Sequence, residues 1–181
     1  MKLNIIGVDA NDELSVNAKG GTELMYQGLM DRLPEHLKEK FQIIPSRVRR
    51  LDPNKKKILW LHDLPMDPES AHLKDPDSRE RFDGFVFVSN WQMQAYNWFL
   101  GVPYDKSIVL KNAINNFPIR RHSDSEEIRL IYHTTPHRGL EILVPVFEEL
   151  SKKYPNIVLD VYSSFKIYGW EERDVPYRDL F

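Results

Sequence analysis

Short apolar runs and amphipathic stretches alternate along this chain. The runs fall at residues 3–8, 41–45, 57–62, 84–88 and 107–110. Between them, residues 22–33 place Leu24, Gly28, Leu29 and Leu33 at helical spacing, and residues 90–100 carry a second helical pattern. β-Branched runs separated by helices of this size predict βαβ units and a mostly parallel sheet. Runs that are apolar throughout predict strands buried on both faces. Ser89 stands before the second helix with Gln92 three residues on, the pattern of a capping box.

The segment from Pro118 to Ile128 is polar and reads as a linker. It divides the chain into a Rossmann-like domain at 1–120, a linker at 121–127 and a second unit at 128–181. The second unit opens as a fresh β-α-β: 128–132, 140–154 and 157–162. Its helix carries an apolar stripe of Leu140, Leu143, Val144, Phe147 and Leu150, with Pro145 predicting a bend. Thr135 ahead of Pro136 predicts a capping hydroxyl before proline at the first helical position. Residues 163–181 show no clear period. The fold class expected is α/β: a Rossmann-like parallel sheet flanked by helices, then an incomplete Rossmann-like β-α-β. Such a unit cannot cover both faces of its sheet. Its helix stripe is therefore expected to stay partly exposed, or to pack on the first domain, a second copy or a partner.

Composition changes this picture in a few respects. A length of 181 residues gives one domain and a remainder. Lys and Arg number 25 against 27 Asp and Glu, a net charge of −2, which argues against a nucleic-acid partner. With no Cys, disulfides, thiol nucleophiles and Cys-ligated zinc are excluded, and a reducing compartment fits. No apolar stretch approaches the roughly 18 residues of a membrane span. The Met1–Asp9 stretch is too short and too soon acidic for a signal peptide, so a cytoplasmic location is expected. Arg47, Arg49, Arg50, Lys55, Lys56 and Lys57 crowd one short segment. A solvated loop is the favoured reading, and a contact with an anionic membrane surface or phosphorylated acceptor is the sharper one.

Candidate chemistry lies where predicted strands meet helices. Gly20 and Gly21 open the first helix, where bare backbone N–H groups can meet a phosphate; a plain turn is the alternative. There is no Walker pattern and no G-x-G-x-x-G. His62 ends a predicted buried strand, beside Asp63, where ligands of open parallel sheets bind. Asp63 and Asp67 suggest a carboxylate pair, but nothing in the sequence sets their separation. Arg138 lies near a helix start and could fork onto a phosphate, or pair with Glu141. His133 and His137 invite a metal reading, rejected because no third ligand is well placed and Pro136 breaks the helical spacing. Trp91, Tyr96, Trp98 and Phe99 on one helix read as packing rather than a stacking platform.

Five stretches in order carry a family resemblance: Asn17-Ala18-Lys19-Gly20-Gly21-Thr22-Glu23, Leu59-Trp60-Leu61-His62-Asp63, Phe87-Val88-Ser89-Asn90-Trp91, Val109-Leu110-Lys111-Asn112-Ala113-Ile114 and Tyr132-His133-Thr134-Thr135-Pro136-His137-Arg138-Gly139-Leu140. Together they resemble glycosyltransferases of the GT-B fold, family 4. The resemblance implies a retaining, metal-independent transfer of sugar from a nucleotide-diphosphate donor to an acceptor hydroxyl. It implies that Gly20 and Gly21 approach the donor diphosphate, that His62 sits by the reacting sugar, and that Arg138 neutralises the leaving diphosphate. Asn112 matches the segment before the interdomain hinge, though Lys111 and Ala113 stand where the family has Pro and Gly. No cofactor is implied beyond the donor, and the acceptor would be a glycan or a lipid-linked molecule. The family's acidic motif and most of its base and ribose contacts belong to a later part of the second domain than residue 181. A complementing polypeptide is expected on that account, and a homo-oligomer on account of the apolar stripe left uncovered on the second unit's helix. The alternative implied by the same resemblance is a non-catalytic module binding a nucleotide sugar, glycan or protein.

Overall fold

The computed structural model describes residues 20–114, 116, 118 and 126–180. The strand expected at 3–8 and most of the expected linker lie outside the described residues. The chain divides into two compact units, with the boundary between 115 and 116.

The first unit opens with helices α1 (Gly21–Met30) and α2 (Glu35–Lys40). Four strands follow: β1 (Phe41–Pro45), β2 (Lys56–Leu61), β3 (Gly84–Phe87) and β4 (Ser107–Val109). They form one sheet in chain order, every pair parallel. Pro45 stands opposite Trp60, and Trp60 opposite Val86. Between β2 and β3 lie a 3-10 segment at Pro68–Lys74 and the short helix α3 (Pro76–Arg79). Helix α4 (Asn90–Leu100) joins β3 to β4. The first unit is thus a mixed α/β fold with a parallel sheet flanked by helices, as the apolar runs predict.

Strand alternation sorts the side chains. Ile44, Leu59, Leu61, Phe85 and Phe87 join Leu73, Phe82, Tyr96, Leu100 and Val102 in the core. Phe82 meets Phe85 and Phe87 meets Tyr96 in tilted ring contacts at 5.6 and 5.3 Å. The other face of the sheet is covered at its centre too, since Trp60 and Val86 are buried. Burying one such phenylalanine side chain is worth about 3 kcal/mol.

Helix α4 departs from its expected face. It buries Gln92, Ala95, Tyr96 and Leu100, while Trp91, Trp98 and Phe99 are exposed. The packing reading therefore holds for Tyr96 alone among its large aromatics. Ser89 does cap the helix, its hydroxyl accepting from the Gln92 N–H at 3.1 Å. The reciprocal arm of a capping box is missing, because the Gln92 side chain bonds elsewhere. The helix ends at Gly101, whose φ of 68° suits only glycine without strain. There the Gly101 N–H donates to Asn97, and the Val102 N–H to Tyr96.

The second unit pairs β5 (Ile128–Tyr132) with β6 (Ile157–Val161), parallel, across helix α5 (Leu140–Lys153). Pro136–Arg138 forms a separate 3-10 turn, and α5 starts only after Gly139, at φ 99°. The Thr135 hydroxyl makes no cap bond, which corrects the expectation of a Thr-Pro helix start. Helix α5 continues through Pro145. Of its stripe, Leu140 is buried, Leu143, Val144 and Phe147 are half-buried, and Leu150 is exposed. The larger exposure lies elsewhere: Ile128, Leu130 and Ile131 on β5, and Ile142 and Val146 on α5. Continuous apolar residues thus do not mean two-sided burial in this unit.

Residues 163–180, without period in the sequence, fold as two 3-10 segments, Phe165–Tyr168 and Glu171–Leu180. Asp174 ties them, accepting from the Ser164 hydroxyl and from the Phe165 N–H at 2.9 Å.

Candidate functional site at the carboxyl ends of the strands

In the first unit, the end of β2 delivers His62, and α1 begins nearby. Gly20 is the N-cap of α1 and is buried; its carbonyl accepts from Leu24 at 3.1 Å. At Gly21 a Cβ would meet nothing within 4 Å among the described residues. The first N–H groups of α1 have no acceptor within the helix, as at any helix start. Glu23, in that first turn, acts electrostatically on the His62 ring. The structure thus brings the first turn of α1 and His62 into one neighbourhood.

The His62 side chain is half-buried and lies on the sheet face opposite the core, with Trp60. The two rings are 4.6 Å apart. His62 Nε2 and Trp60 Nε1 are buried and find no hydrogen-bond partner among the described residues. An unpaired buried donor or acceptor is costly, so two side by side mark a place where a polar ligand group would be welcomed. Burial holds the His62 pKa below the ordinary histidine value, against the opposing pull of Asp63 and Glu23. The ring is therefore neutral at neutral pH.

The main chain around His62 is held by groups that sequence reasoning did not single out. Ser46, just past β1, sits at φ 56°, uncommon for a residue with a side chain. The Arg47 N–H donates to Pro45 at 2.6 Å, closing a γ-turn on Ser46. This turn aims the Ser46 hydroxyl at the His62 N–H, which donates to it at 3.0 Å. From the core side, the Gln92 amide donates to the Leu61 carbonyl at 3.2 Å and the Asp63 carbonyl at 2.7 Å. Its oxygen accepts from the Val88 N–H at 2.8 Å. The Tyr96 hydroxyl also donates to the Asp63 carbonyl, at 3.2 Å. Burial pushes the Tyr96 phenol up to about 12, so it keeps that proton. The capping-box pattern hid Gln92: a glutamine three residues after serine is read as a local cap.

Other candidates resolve differently. Asp67 is a cap, its carboxylate accepting from the Glu69 N–H. Arg49 forks onto Glu69 at 2.8 and 3.1 Å. Gln42 pins the basic loop, donating to the Arg50 carbonyl and accepting from the Asp52 N–H. The 47–55 part of the cluster is therefore a tethered loop rather than a freely solvated one, with Arg47 and Arg50 exposed, while Lys56 and Lys57 open β2.

In the second unit, the strand ends frame a shallow cavity of about 360 Å³. His133, Thr134, Ser163, Ser164 and Lys166 supply polar groups, and Tyr162 and Ile167 supply apolar walls. The Ser163 hydroxyl donates to the Thr134 carbonyl at 2.6 Å, joining the two strand ends. Arg138 is exposed, does not line this cavity, and forms no ion pair with Glu141. His137 stacks on Phe165 at 5.2 Å, so its ring is engaged in packing. No group of three or more His, Asp or Glu that could hold a metal ion occurs among the described residues. No helix among them is long and apolar enough to cross a membrane.

The fold defines the class: a mixed α/β protein whose first unit is a four-stranded parallel sheet flanked by helices, of Rossmann-like kind. No protein-family model matches the chain, and no curated protein matches it either.

Proposed function

We propose that this chain is a GT-B glycosyltransferase, or the N-terminal portion of one, of the family-4 type. It would transfer a sugar from a nucleotide-diphosphate donor to a hydroxyl of a glycan or lipid-linked acceptor, with retention and without a metal. The observation that carries the reading is the setting of His62. It is a neutral imidazole at a strand carboxyl end, beside a glycine-opened helix start, with a ring nitrogen that has no partner among the described residues. Open α/β sheets bind ligands at such ends.

In the reaction, the bond from the anomeric carbon to the diphosphate oxygen breaks, the acceptor oxygen bonds that carbon, and the acceptor's hydroxyl proton passes to the departing diphosphate oxygen. His62, uncharged, can hydrogen-bond a sugar hydroxyl without fixing a charge beside it. The open backbone at Gly21 admits close approach of the diphosphate, and the α1 N-terminus favours its negative charge. By the family resemblance Arg138 would neutralise the departing diphosphate, and its guanidinium has no ion-pair partner among the described residues.

A thermal-shift panel of nucleotide-diphosphate sugars tests this reading. The expected result is stabilisation by at least one donor, lessened in Arg138→Ala. Binding without turnover would support the non-catalytic module instead. No stabilisation by any donor would remove the proposal for this chain.

A further inference from the structure

We infer that Gln92 is a positioning residue for His62, acting through the main chain that carries the imidazole. The inference deepens the reading of His62 as the group facing the reacting sugar, and rests on it for its catalytic meaning only.

The geometry is specific. One side-chain amide uses both N–H groups on the carbonyls that flank His62, those of Leu61 and Asp63. The same amide accepts from Val88 at the end of β3, so it fixes the ends of two neighbouring strands relative to each other. Gln92 is buried, and its position on α4 is set by the Ser89 cap one turn before it. It reaches His62 from the core face, whereas the imidazole lies on the opposite face with Trp60. Gln92 therefore cannot touch a ligand at the imidazole. With the Ser46 hydroxyl on the His62 N–H, three of the five backbone groups from the Leu61 carbonyl to the Asp63 carbonyl have side-chain partners. Buried hydrogen bonds that converge on one short stretch of main chain favour one arrangement and penalise others.

The test follows the His62 ring by NMR titration in the full chain, its signal assigned by the loss seen in His62→Gln. Gln92→Met keeps the volume and removes every bond of the amide. Leu73→Ala, a core truncation that removes none of these hydrogen bonds, is the control for lost stability. The expected result is an upward shift of the His62 midpoint by about half a pH unit in Gln92→Met, as the ring becomes better hydrated. The control should leave the midpoint in place. An unchanged midpoint in folded Gln92→Met, or an equal shift in the control, would overturn the inference. Should Gln92→Met fail to fold, Tyr96→Phe removes one donor to the Asp63 carbonyl and should give a smaller upward shift; no shift there would overturn it too. The readout does not depend on sugar transfer, so failure of the glycosyltransferase reading and failure of this inference are separable.

Discussion

The two units put similar sequence patterns to different structural use. In the first, apolar strands are covered centrally on both faces, and the strand ends are gripped by buried side chains. In the second, β5 has the same apolar character, yet Ile128, Leu130 and Ile131 are exposed. The difference lies in what surrounds the strand. Strands β2 and β3 each have a neighbour on both sides, whereas β5 and β6 have only each other among the described residues. A continuous apolar run specifies a strand, and its neighbours decide whether it is buried. The same contrast applies to the candidate groups. His62 has a fixed main chain, and Arg138 is an exposed side chain on a short turn.

The largest expected contrast is in stability. Leu59→Ala should destabilise the first unit by about 3 kcal/mol, because it leaves a cavity beneath the sheet. Ile131→Ala, exposed on β5, should change the second unit by about 0.5 kcal/mol or less. Hydrogen exchange resolved by residue checks both, and equal losses would dissolve the distinction between the units.

A second effect concerns the Ser46 turn. Ser46→Ala keeps the left-handed strain and removes the acceptor for the His62 N–H, costing about 1–2 kcal/mol. Ser46→Gly removes the same acceptor but relieves the backbone, so it should cost less than alanine. Chemical denaturation of both variants checks the order; a glycine variant less stable than the alanine one would show that strain is unimportant there.

Acid should act on the first unit through its buried histidines. Burial lowers the pKa of both His62 and His72, with Arg81 adding to the effect at His72. The unfolded chain binds more protons between the lowered folded values and about 6.5. Stability is therefore full above about 6.5 and is lost as pH falls through the folded values. His72→Gln should flatten part of this slope; an unchanged slope in denaturation at pH 7 and pH 5 would contradict the assignment. The smallest expected effect is on dye binding. Ile131→Ser and Ile142→Ser should lower binding of a dye specific for exposed apolar surface, with stability changes within about 0.5 kcal/mol.

Much of the fold was legible because it rests on local pattern. The runs at 41–45 and 84–88, the Ser89 cap and the β-α-β at 128–162 each announce themselves within a few residues. The pieces that were missed depend on distant partners. Gln92 looks like a cap until the end of β2 is seen within its reach, 29 residues before it in the Asp63 contact. Trp91, Trp98 and Phe99 look like core, but the face of α4 set by Gln92, Ala95, Tyr96 and Leu100 turns them outward. The tail at 163–180 has no period because its order comes from Asp174 and the buried Phe165 rather than from a regular helix. Of the candidate site, His62 was legible from its place at a strand end. The Ser46 turn that meets it required the parallel register of β1 and β2.

The glycosyltransferase reading is tested most directly by the release of nucleoside diphosphate from a panel of nucleotide sugars, measured by chromatography with wild-type chain and His62→Ala. The account predicts release from at least one donor, alone or on addition of a complementing polypeptide, and at least a tenfold loss in His62→Ala, about 1.4 kcal/mol in the barrier. Release that is indifferent to His62, or a bound donor that is never turned over, would contradict it.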